Sequence, residues 1–160
     1  MTRRTIRPIA RVLVAGALFA LGCGGRMPKA LAEGSGRFAP CPASPNCVSS
    51  EAGDEAHAIA AYRIRGEADA AWRALADHLR TRERVEIVTL EADYLHAVFT
   101  SALMGYRDDV EFRLDPGAGV IRLRSASRIG YGDMGANRDR IESIRAALAQ
   151  AGFVDPDTPR

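Results

Sequence analysis

The sequence predicts an α+β fold, an antiparallel β-meander of about five strands with two amphipathic helices packed on one face. Three observations predict it. Apolar and charged residues alternate over 109–114 and 120–125, on either side of an Asp-Pro-Gly-Ala-Gly turn. Residues 67–81 and 138–151 instead repeat apolar positions at helical spacing. The segments that read as consecutive strands are joined by connections too short for parallel crossovers.

In chain order, residues 57–65 (HAIAAYRIR) read as a strand. Residues 67–81 form the first helix, with Trp72, Leu75 and Leu79 on one face as core. Strands follow at 85–90 and 94–104. In the second, Leu95, Ala97, Phe99 and Leu103 share a side and His96 falls on the outward one. Val110, Phe112 and Leu114 then alternate with Asp109, Glu111 and Arg113. After the turn at 115–119, Ile121 and Leu123 point inward and Arg122 and Arg124 outward. Asp108, Asp109 and Glu111 invite an acid–base or calcium reading, but outward arginines make cross-strand ion pairs the simpler account. The second helix, 138–151, places Ile141, Ile144 and Leu148 inward, with Asn137 as its N-cap and Gly152 as its stop. Residues 41–152 thus form a single domain, and 153–160 a flexible tail.

The chain has 160 residues, enough for one domain with a proper core. Its excess of Lys and Arg (22) over Asp and Glu (20) is misleading. Residues 1–32 hold Arg3, Arg4, Arg7, Arg11, Arg26 and Lys29 and no acid, so the rest has 22 − 6 = 16 bases against 20 acids. The body therefore lacks the clustered basic face of a nucleic-acid binder. The basic start and the apolar run 12–21 resemble a secretory signal, too short to span a bilayer comfortably. Two exits compete. Ala20-Leu21-Gly22-Cys23 resembles a lipobox, ending a signal peptide 1–22 and lipidating Cys23. Ala30-Leu31-Ala32 offers cleavage after residue 32. Residues 23–40 are a linker rich in Gly, Pro and Ala. The expected location is outside the cytoplasm, on the periplasmic side, with a lipid anchor at Cys23 as the membrane contact.

Two motifs carry the chemistry. In CPASPNCVSS, residues 41–50, Cys41 and Cys47 have the wrong spacing for a zinc half-site, and no second pair exists. No metal is expected. If Cys23 is lipidated or discarded, two cysteines remain in an oxidising compartment, which suits a disulfide. The competing readings are a nucleophilic Cys47 served by His57 or His96, and ordinary loop thiols. The second motif is RSASRIGYGDMGANR, residues 124–138. Arg124, Ser125, Ser127, Arg128, Asp133, Asn137 and Arg138 crowd a strand-to-helix junction, where free N–H groups and the helix dipole favour an anion. Internal pairing and capping are the structural alternative. The motif is not a nucleotide phosphate loop, and no cofactor is expected.

CPASPNCVSS at 41–50, YLH at 94–96, DDVEF at 108–112, SASRIG at 125–130 and DMGANR at 133–138 occur in that order. Together they resemble the family called domain of unknown function 1499, over about residues 38–150. The resemblance implies a small domain, often exported in bacteria, and no inherited mechanism. The function expected is a non-enzymatic envelope domain binding a small anionic ligand or a protein partner. The alternative is an envelope hydrolase or thiol enzyme using Cys47, Ser125 or Ser127.

Overall fold

The computed structural model describes residues 36–156. The expected signal segment, Cys23 and most of the linker lie outside them. Within them, β1 (Cys47–Ser49), β2 (Tyr62–Arg63), α1 (Ala68–Arg80), β3 (Val85–Leu90), β4 (Tyr94–Thr100), β5 (Arg107–Asp115), β6 (Val120–Ser127) and α2 (Ala136–Gln150) follow in order. All these strands pair antiparallel in the spatial order β1-β6-β5-β4-β3, and β2 shares the outer edge of β6 with β1. The α+β class holds, with six strands rather than about five.

The meander β3 to β6 forms because each strand alternates and each connection is short. The register places Leu95 opposite Phe112, Phe112 opposite Leu123, and Leu114 opposite Ile121. These residues form one apolar face with Ala97, Phe99 and Val110, and both helices cover it. Trp72, Leu75 and Leu79 of α1 and Ile141, Ile144 and Leu148 of α2 complete the core. At the β5–β6 turn, Asp115 accepts a hydrogen bond from the Ala118 amide and Gly119 takes φ 66°.

Four departures from expectation have a tertiary reason. First, 57–65 is not one strand. Only Tyr62 and Arg63 form a strand, with isolated bridges at Ala58 and Ile64, because Arg145 of α2 donates to the carbonyls of Ala60 (2.7 Å) and Ala61 (3.1 Å), satisfying acceptors that a longer strand would use. Second, β4 ends at Thr100. Ser101 closes a turn by bonding Tyr106, and Leu103, expected inward, is 92% exposed. Third, Cys47–Ser49 is a strand, recruited by β6 out of a segment with no alternation of its own. Fourth, the segment after α2 is fastened at its start. Val154 is fully buried against Ile64, and Asp155 pairs with Arg65.

Candidate functional site

The cluster at 124–138 does not form one site. Strand alternation sends its members to opposite faces of the sheet. Ser125 and Ser127 lie on the helix-covered face, opposite Val110 and Asp108. Arg124 and Arg128 serve the other face, where their partners are Glu111 and Asp109.

On the helix-covered face the hub is Asn137, fully buried in the first turn of α2. Its Oδ1 accepts from Ser125 Oγ (2.6 Å) and from Arg140 (2.5 Å). Its amide donates to the Asn46 carbonyl (3.0 Å), Ser127 Oγ (3.0 Å) and Asp133 (2.8 Å). Arg140 also donates to Ser125 Oγ at 3.0 Å, pairs with Asp108, and stacks 4.9 Å from the Phe99 ring centre. Asn46 reaches back to the Gly130 carbonyl at 2.7 Å. The network thus joins β1, β5, β6 and α2.

Asn137 is not the N-cap. The helix begins earlier, at Ala136, after Gly135 with φ 85°. Asp133 takes the capping role: its carboxylate accepts from the amides of Gly135 (3.0 Å) and Asn137 (2.8 Å). Burial alone would raise its pKa, but the hydrogen bonds from Asn137 and Gly135 hold it below the usual carboxylate value. The helix terminus expected to receive an external anion therefore already holds an internal one. Arg138 donates to the Ala58 (2.9 Å) and Ala56 (3.3 Å) carbonyls. Beside it lies a recess of about 230 Å³ lined by Pro45, Val48, Asp133 and Met134.

The opposite face is a ladder of ion pairs. Arg128 grips Asp109 through Nε and Nη2, both at 2.8 Å, and His96 meets the same carboxylate at 2.8 Å. His96, expected to point outward, is in fact buried, as are Asp109 and Glu111. Arg124 donates to Glu111 at 3.1 Å, and Tyr94 donates to it at 3.0 Å. Arg122 binds Glu51 at 2.7 Å. Burial opposes ionisation of Asp109, yet the bonds from His96 and Arg128 lower its pKa. Burial, followed by the neighbouring Glu111, raises Tyr94. The cross-strand pairing expected for Asp109 and Glu111 is present.

Cys41 and Cys47 are joined in a disulfide with Cα atoms 5.6 Å apart. The three histidines lie apart: His57 bonds Asp54 and the Ser44 carbonyl, His78 is on α1, and His96 is on β4. Sequence reading missed Asn46 and Arg140. The available signal for Arg140 was its spacing, three residues after Asn137 and beside Ile141 on the inner side of α2.

The fold and these networks define a small antiparallel sheet-and-helix domain whose polar groups lock its own elements together. The pattern of the family described as a protein of unknown function (DUF1499) matches residues 37–148, and the chain belongs to that family. No curated protein and no solved structure matches it.

Proposed function

We propose that the protein is a non-enzymatic binding domain of the cell envelope, tethered through its N-terminal segment. The Cys41–Cys47 disulfide carries this reading. It fits an oxidising compartment, and it removes the thiolate that the enzyme alternative would need. The serine version of that alternative lacks support too. Ser125 donates its proton to Asn137 and sits beside the Arg140 cation, and among the described residues no histidine bonds it or Ser127. A small anion would have to compete with groups already in place. Arg124 and Arg128 are matched by Glu111 and Asp109, Arg138 by two carbonyls, and the α2 amides by Asp133. That favours a partner surface over a small anionic ligand. The basic start and apolar run of residues 1–22, and Cys23 after them, support export and a lipid anchor.

The test is the non-reducing intact mass of the full chain from a native-type host, with and without alkylation. The expected result is lipid on Cys23 and no alkylation of Cys41 or Cys47 until reductant is added. Free alkylation of Cys47 in the native protein would overturn the reading and put the thiol enzyme first.

A further inference from the structure

Among the described residues, six of the eight exposed large apolar side chains gather at one end of the sheet, and the other two, Val88 and Leu90, lie on edge strand β3. The β4–β5 loop carries Leu103 (92% exposed), Met104 and Tyr106, and the segment after β6 carries Ile129, Tyr131 (78%) and Met134, whose side chain is wholly exposed. The register brings the two loops together. Thr100 pairs with Arg107, Asp108 with Ser127, and the Arg128 amide bonds the Arg107 carbonyl at 3.1 Å, so both loops leave the same edge one strand spacing apart. They are held in place: Ser101 closes the first loop on Tyr106, and Asn46 binds Gly130 in the second. Met134 keeps a left-handed backbone, φ 55°, which an unbranched residue adopts only at some strain.

We propose that this tip inserts its apolar side chains into the surface of an anionic phospholipid bilayer. The reading rests on the envelope location argued above. Two features select a bilayer. Two tyrosines sit among aliphatic residues, the mixture that settles at the headgroup boundary. The surrounding charge is weighted toward cations: Arg84 and Arg107 are exposed and Arg82 half-buried, against exposed Glu86 and Glu83, the latter paired with Arg84 at 3.5 Å, and neither 101–107 nor 128–132 contains an acid. Asp133 is turned into the helix terminus. The tether permits the contact. Gly36 bonds Arg122, six residues from Arg128 along the strand direction, or roughly 20 Å. The 12 residues from 24 to 35 can span about 40 Å. A lipid at Cys23 and the tip can therefore reach one bilayer together, and two weak signals hold a surface far better than one.

The test places a reporter at the tip of the full chain. Tyr131→Trp protein is reconstituted into vesicles of mixed zwitterionic and anionic phospholipid, with and without brominated acyl chains. The native Trp72, buried in the core, is the internal control. The expected result is a blue-shifted emission from the introduced tip indole, quenched several-fold more than that of Trp72 alone. Leu103→Ser and Ile129→Ser, both at exposed positions, should each weaken the tip's partition about tenfold, with thermal unfolding unchanged. Emission from the introduced indole that stays as in buffer overturns the proposal. If the Ser variants then abolish a crosslink to another envelope protein, the tip is a protein interface and the bilayer reading falls equally. Alkylation of Cys47 in the same preparation reports separately on the envelope reading.

Discussion

The two faces of the sheet are buried by opposite means. Beneath the helices, Phe112, Leu123, Leu95 and Ile121 bury apolar area, and the polar network around Asn137 is confined to the end where β6 passes into α2. On the other face the same strands bury His96, Asp109, Glu111 and Arg124 in a chain of cross-strand pairs. Near-complete burial is thus not a measure of hydrophobic stabilisation. The first face gains from water release at every contact. The second gains little net energy while every partner is present, and loses much when one partner is removed.

Breaking the first face gives the largest effect. Phe112→Ala should destabilise by about 3–5 kcal/mol, because the ring is fully buried and the site cannot collapse around both Tyr62 and Leu123. The midpoint of urea unfolding measures it, and the loss should be the same at pH 7 and pH 4.

Breaking the second face gives a somewhat smaller loss that depends on pH. Asp109→Ala leaves Arg128 and His96 buried without their shared carboxylate and should destabilise by about 3 kcal/mol at pH 7. The folded-state pKa of Asp109 is lowered, so the unfolded chain takes up its proton first, near about 3.9. The contribution is present above that pH and is lost as pH falls through the folded value. The variant should therefore lose less stability than the native protein between pH 5 and the acid limit (roughly pH 2). Parallel curves for the two would show that Asp109 is not ionised by its partners.

The smallest effect sharpens the comparison at its edge. Replacing both Cys41 and Cys47 by Ser opens a loop of sequence separation 6 and should lower stability by about 2 kcal/mol. Thermal unfolding checks it. A far larger loss would mean that the staple, rather than pairing of Cys47–Ser49 with β6, keeps the first strand in the sheet.

Much of the fold was legible in the sequence, and less of the site. Alternation at 109–114 and 120–125 and the spacing of Trp72, Leu75 and Leu79 are local periodicities, so they identified strands, helix and core face directly. The polar cluster was legible as a cluster but not as a geometry. Ser125 and Arg124 are neighbours in the chain and belong to opposite faces of the sheet. Asn137 read as a cap because it precedes a helical pattern, whereas Asp133 performs the capping four residues earlier.

By itself the sequence determined the α+β class, the meander, the two amphipathic helices and the short spacing of Cys41 and Cys47 that a disulfide can close. These depend on periods of 2 and 3.6 residues and on turn chemistry, which act within a few residues. Only the tertiary structure decided which arginine meets which acid, why 57–65 yields two strand residues, and how Asn46 reaches Asn137 across a separation of 91 residues. It also decided that two loops distant in sequence share one apolar tip. Those outcomes depend on strand register and on competition for backbone acceptors, which exist only once distant segments have packed together.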